Sequence, residues 1–197
     1  MFSLKKTGII LILLATFSGS VYAKQTIVFV RHGEKPANGS GQLTCKGLNR
    51  ALALPDVLIS RYGKPDAIFA SAPKENKLGS SLRPLTTITP TAIRLSLPIN
   101  LNYHATDVSG LSTALLSEDN KDSLSFVSWE HKNLVIAAKE IVKKEGGDPN
   151  VIPEWQGSDF DSIYVLTINR DMIPPQVTFI HEKEGLNAIS DVCQHTK

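Results

Sequence analysis

The stretch Ile27–Pro36, IVFVRHGEKP, carries an apolar, β-branched segment directly into an arginine, a histidine and a glycine. With Thr26 it forms the run TIVFV, whose lack of polar alternation fits a short strand covered on both faces. Such strands belong to largely parallel sheets, in which ligands gather beyond the carboxyl ends of the strands. Arg31 and His32 stand at such an end, and Gly33 lets the backbone turn sharply and a ligand come close. A neutral imidazole there can attack an electrophile if a hydrogen bond to its other nitrogen fixes the tautomer. Arg31 offers a planar, permanently charged fork for two anionic oxygens.

Outward from this strand the chain alternates strands and helices without repeats or low-complexity tracts. Thr44 is the predicted N-cap of a helix through CKGLNRALALPDVLISRYG, with Leu48, Leu52 and Ile59 among its apolar positions and a kink at Pro55. DAIFAS (66–71) reads as a second strand, APKENKLGSS (72–81) as a polar loop, and Pro84 as the first turn of the next helix. SLSFVSW (123–129) is a third strand. HKNLVIAAKEIVKKEG (131–146) is a helix with Leu134, Ala138, Ile141 and Val142 on its apolar face and Gly146 at its end. DSIYVLTI and QVTFI complete the set, with Pro174 and Pro175 marking a tight reversal. This order predicts an α/β protein, a three-layer α/β/α sandwich with a mostly parallel central sheet.

Two further residues join the first strand end. Arg83 precedes the helix at Pro84, where backbone N–H groups also favour anions; a solvated loop arginine is the alternative on spacing alone. His131 closes the strand in FVSWEHKN, so a second imidazole reaches the same sheet edge from a distant part of the chain. Two imidazoles and two guanidinium forks suit phosphoryl transfer, in which charge spreads over three equatorial oxygens and the protein works by positioning and electrostatics.

These elements resemble the histidine phosphatase superfamily, the phosphoglycerate-mutase-like fold. Arg31, His32 and Gly33 match its RHG signature, LTCKGLNRA resembles its LTxxGxxQA helix start, RPLTTI stands where it has RAxxTA, and His131 matches its second histidine. The resemblance implies that His32 is transiently phosphorylated, that Arg31, Arg83 and His131 hold the phosphoryl group with it, that water then attacks the phosphohistidine, and that no metal or other cofactor is needed. There are departures: Ser71 and Arg83 lie twelve residues apart, so PKENKLGS reads as an insertion near the mouth, and Pro84 replaces the usual alanine.

The proton donor is left open between Asp107, in the segment after the second helix, and Glu130, beside the second histidine; Glu118, Asp159 and Asp161 are further candidates. Neighbouring residues on a strand point to opposite faces, which counts against Glu130 unless the strand has already ended. Glu34 is expected to brace the site through hydrogen bonds. Trp129 and Trp155 read as packing or as lining for the entrance, and His104, His181 and His195 carry no motif.

The first 23 residues have a basic start (Lys5, Lys6), a short apolar segment and a small-residue cleavage pattern at Val21 and Ala23, the features of a secretory signal. Removing 23 residues from 197 leaves a 174-residue domain, residues 24–197, with no membrane anchor expected. The excess of 21 basic over 19 acidic residues vanishes with Lys5 and Lys6, so charge does not point to nucleic acid. In an exported, periplasmic protein Cys45 and Cys193 are able to pair, though sequence alone leaves a bridge and two free thiols equally open. The expected activity is a phosphatase acting on a phosphoester, with mutase activity less favoured. Its rivals are a phosphate-binding protein without turnover and a metal-dependent hydrolase using His32 and His131 as ligands. Substrate identity and oligomeric state do not follow from the sequence.

Overall fold

The computed structural model describes residues 24–77 and 79–193, so the expected leader and His195 lie outside the described residues. The first strand is longer than TIVFV: β1 spans Lys24–Arg31. α1 (Cys45–Tyr62) follows, then β2 (Ala67–Ala70), a small hairpin of β3 (Lys74–Asn76) and β4 (Gly79–Ser81), α2 (Arg83–Leu95), β5 (Ile99–Asn100) and α3 (Val108–Leu115). β6 (Leu124–Trp129), α4 (His131–Lys144), β7 (Ser162–Asn169) and β8 (Gln176–Lys183) complete the described chain.

The main sheet has six strands in the order β5-β2-β6-β1-β7-β8. β5, β2, β6 and β1 run parallel, and the hairpin of β7 and β8 adds antiparallel to β1. The mixture follows from the connections. Helices cross over between the first four strands, whereas the short turn at cis Ile173–Pro174 can join only antiparallel neighbours.

β1 shows why its sequence has no polar alternation. Ile27 and Phe29 point into a core shared with α3 and α4, and Val28 and Val30 into a core containing Leu54, Leu58 and Ile88 of α1 and α2. All four side chains are fully buried. Thr44 caps α1 by accepting a hydrogen bond from the Gly47 N–H (3.1 Å), as its position before the helix predicts.

The sequence reading needs two corrections here. Leu48 and Leu52 are 39% and 51% exposed, and the buried stripe of α1 runs instead through Ala51, Leu54, Pro55 and Leu58, rotated around the helix from the row that the leucines suggested. The helix itself runs through Pro55 as one 18-residue element over the expected segment. The polar segment 72–81 is not a plain loop but contains the β3–β4 hairpin, with Lys74 opposite Ser81 and Glu75 opposite Ser80. Gly41 explains how that hairpin docks on the loop after His32: a Cβ at Gly41 would lie 2.4 Å from the Ser80 carbonyl oxygen.

Candidate active site

The carboxyl ends of β1 and β6 lie side by side, with Arg31 in register with Trp129 and the His32 N–H bonded to the Trp129 carbonyl (3.1 Å). This pairing sets His32 and His131 on one rim. The loop after His32 is then forced against α1: a Cβ at Gly33 would sit 2.9 Å from the Gly47 carbonyl oxygen, so glycine is required for the approach. The Gly33 N–H donates to Thr87 Oγ1 (2.9 Å), and Thr87 lies one turn after Arg83 on α2. Ser128 at the end of β6 donates to the Pro84 carbonyl (2.9 Å) and holds the start of the same helix. Arg83 is thereby delivered to the rim despite the inserted hairpin.

Arg31 is buried and immobilised. Its Nη1 donates to the carbonyls of Gly157 (2.9 Å) and Asp159 (2.8 Å), and its guanidinium lies 3.8 Å from the centre of the Phe160 ring. Arg31 Nε and Arg83 Nε are both buried without a hydrogen-bond partner among the described residues. Unpaired buried guanidinium donors are expensive unless an anion completes them. Gly157 also borders His131: a Cβ there would lie 3.8 Å from His131 Nε2.

The His32 ring is buried and held in one orientation. Its Nδ1 is 2.8 Å from the Gly33 carbonyl, an oxygen that can only accept, so Nδ1 carries the proton and the Nε2 lone pair is left exposed to an electrophile. Burial, reinforced by the charges of Arg31, Arg83 and Lys35, lowers its pKa to about 4 against the partial opposition of the Gly33 bond. The unfolded chain takes up a proton at the ordinary value near 6.5, before the folded one does, so stability falls as pH drops from 6.5 to 4. The loss amounts to about 3 kcal/mol. His32→Gln is expected to flatten that slope in urea unfolding between pH 7 and 4.5 in phosphate-free buffer, and an unchanged slope would contradict the buried neutral ring.

Glu130 sits just past the end of β6, so strand alternation no longer governs its side chain. Its Oε2 accepts from the N–H groups of Lys132 (3.1 Å) and Asn133 (3.0 Å), capping α4, and its Oε1 lies 2.6 Å from His131 Nδ1. That carboxylate oxygen lies beside the ring nitrogen without meeting hydrogen-bond geometry, so the two groups form an ion pair only when the ring is protonated. Burial and Arg31 lower the His131 pKa, and Glu130 works in the opposite direction. Arg31 and Arg83 feel the same carboxylate.

The structure thus brings Arg31, His32, Arg83, His131 and Glu130 together and places the other carboxylates elsewhere. Asp107 caps α3, accepting from the Gly110 N–H (3.0 Å), and lines a separate cleft of about 730 Å³ with Asn100, Tyr103 and Ser117. Glu118 pairs with Lys121 beside Asn120, whose carbonyl meets Gln25 at the opposite end of β1. Asp159 accepts from Ser162 Oγ (2.6 Å) and Lys183 Nζ (2.8 Å); burial works against its ionised form, but these partners outweigh it and hold the pKa at about 2. Asp161 and Glu34 are both bound to Arg50, and that fork holds Glu34 below the usual carboxylate range although burial pushes it up. Trp129 is core, and Trp155 packs on Tyr164 and donates to the Asp159 carbonyl (2.8 Å). His104 is exposed, and His181 lies 2.7 Å from Ser162 Oγ.

Arg50, Thr87, Phe160 and Glu184 went unread in the sequence. Thr87 and Arg50 lie inside the quoted RPLTTI and LTCKGLNRA segments, so the four-residue helical spacing from Arg83 to Thr87 was the one available signal. Cys45 and Cys193 form a disulfide with Cα atoms 4.7 Å apart. Among the described residues no group of three or more His, Cys, Asp or Glu side chains is placed to hold a metal ion, and no helix is long and apolar enough to cross a membrane.

No family model and no curated protein sequence matches the chain. Solved structures match it at low identity. A candidate phosphohistidine phosphatase SixA from Nakamurella multipartitia is 14% identical over 81% of this chain and 95% of its own, with a TM-score of 0.54. A mycobacterial glucosyl-3-phosphoglycerate phosphatase is 15% identical over 81% and 97%, with a TM-score of 0.54. A phosphoglycerate mutase from Plasmodium falciparum is 11% identical over 89% and 99%, with a TM-score of 0.53. At these identities the likeness is one of architecture. The chain therefore has the phosphoglycerate-mutase-like α/β fold.

Proposed function

We propose that the protein is a phosphatase that hydrolyses a phosphate monoester through a phosphohistidine on His32. One observation carries the reading: a buried imidazole with Nδ1 tied to the Gly33 carbonyl, beside two buried guanidinium Nε–H groups that have no partner among the described residues. The phosphoryl oxygens complete those donors. His32 Nε2 attacks phosphorus as the ester P–O bond breaks. The leaving oxygen takes its proton from the Glu130–His131 pair, whose atoms approach to 2.6 Å. Water then attacks phosphorus, the P–N bond breaks, phosphate departs, and the proton that water gives up returns to the pair. Arg31 and Arg83 stabilise the charge on the equatorial oxygens throughout, a task that other enzymes give to a metal ion.

The fold of the phosphatases named above supports this reading, and the same fold in a mutase keeps that activity as the less favoured alternative. The Cys45–Cys193 bridge and the leader-like first 23 residues favour export to an oxidising, periplasmic setting. The test is to quench the protein during turnover of a labelled aryl phosphate, with and without a chelator. Acid-labile, base-stable label on His32 and turnover that survives the chelator are expected. Turnover without such label, or turnover abolished by the chelator, would refute the covalent route. Phosphate binding with no hydrolysis would leave the chain a binding protein.

A further inference from the structure

We infer that Arg50 is the positioning residue of this site, one buried guanidinium that clamps the His32 loop on one side and the loop supporting Arg31 on the other. This rests on the proposed reaction for its kinetic consequences, but not for its geometry.

All the donor directions of Arg50 are used. Nε and Nη2 fork onto Glu34 at 3.0 and 2.8 Å, and Nη1 reaches Asp161 Oδ1 (3.2 Å) and Glu184 Oε2 (2.6 Å). Asn187 Oδ1 accepts from Nη2 at 3.4 Å. The side chain is fully buried and touches neither His32 nor Arg31 by hydrogen bond. Its partners, however, stand two residues from each of the two groups that matter: Glu34 is two beyond His32, and Asp161 is two beyond Asp159, whose carbonyl fixes Arg31 at 2.8 Å. Asp161 is itself pinned, its Oδ1 accepting from the Leu186 N–H (2.7 Å) and its carbonyl from the Glu184 N–H (2.6 Å). Arg50 therefore joins α1, the nucleophile loop, the β7 approach and the segment after β8 at one point.

A nonpolar core would stabilise the fold as well as this cluster does, since buried ion pairs seldom gain much over hydrophobic packing. What a five-donor planar fork supplies is fixed geometry between loops that share no direct side-chain contact. A nucleophile displaced by about 1 Å loses rate on the order of 100-fold, so the clamp acts on turnover through the Glu34 arm and on anion binding through the Asp161 arm.

The test separates the arms with Glu34→Gln, Asp161→Asn and Arg50→Lys, read by kcat and KM for an aryl phosphate, inhibition by inorganic phosphate, and NMR titration of the His32 ring. Glu34→Gln is expected to lower kcat by roughly 10- to 100-fold with phosphate affinity held within about threefold. Asp161→Asn weakens phosphate binding roughly tenfold, and Arg50→Lys does both. In Glu34→Gln and Arg50→Lys the His32 pKa moves up from about 4 toward 6.5 as the loop admits water. Variants that unfold cooperatively yet keep kcat, phosphate affinity and the His32 titration at wild-type values would overturn the assignment, as would equal losses in all readouts from either arm. If Arg50→Lys does not fold, the two single-arm variants decide. Should the wild type hydrolyse no phosphate monoester, the proposed reaction falls, while phosphate affinity and the ring titration still test Arg50.

Discussion

His32→Ala is expected to lower turnover of an aryl phosphate by on the order of 10⁴-fold or more, the scale seen when an activated nucleophile is removed. Arg31 stays locked to the Gly157 and Asp159 carbonyls, and Arg83 stays delivered by the Ser128 and Thr87 contacts, so the anion cradle survives the substitution. Inorganic phosphate should therefore bind within about threefold of wild type, as groups that only position are undisturbed. This split between kcat and affinity distinguishes loss of a nucleophile from loss of fold. His32→Gln, which keeps the bulk beside Phe160, should be equally inactive. A variant retaining a tenth of wild-type turnover would remove the phosphohistidine and leave water attacking the ester directly.

The parts of this site legible in the sequence are those written locally. An apolar run ending in Arg31 and His32, a strand ending just before His131, and a threonine before an amphipathic helix each state their structure within a few residues. Covalent neighbours determine them. The ends of β1 and β6 are brought together by a parallel register that any α/β reading of the chain implies.

Arg50 shows the opposite case. Its partners Glu34, Asp161, Glu184 and Asn187 lie 16, 111, 134 and 137 residues away, and nothing near Arg50 announces that it is buried. An arginine on a helix is ordinarily solvated, and Leu48 and Leu52 nearby pull the apparent apolar face toward the wrong side. The β3–β4 hairpin was hidden for a different reason. Its strands are polar and three residues long, so they lack the alternation from which strands are read. Asp107 looked like an acid near the site because chain order placed it after the second helix. Only the fold shows that its carboxylate is turned to the N-terminus of α3 and to another cleft.

The second large effect concerns stability. Cys45 opens α1 immediately after its Thr44 cap, and Cys193 lies 148 residues later, so the bridge closes a loop spanning most of the described chain. Closing a loop of that length restricts the unfolded ensemble by up to about 5 kcal/mol. Much of the segment it secures has other anchors: Asn49 Nδ2 donates to the carbonyls of Ser190 and Val192, both at 2.9 Å, and Glu184 is bound to Arg50. The native state therefore changes little when the bridge is cut, and the loss falls on the unfolded side. Reduction, or Cys45→Ser with Cys193→Ser, is expected to lower unfolding stability by roughly 3–5 kcal/mol, about a fifth or more of what a domain of this size usually has. Urea unfolding with and without reductant measures it, and an unchanged midpoint with both thiols reactive would show that the bridge contributes nothing. Because the anchors near Arg50 persist, turnover of the reduced but still folded protein should stay within about threefold of the oxidised form. A bridge that matters to stability but not to chemistry is useful only where it is not reduced, as in an oxidising compartment.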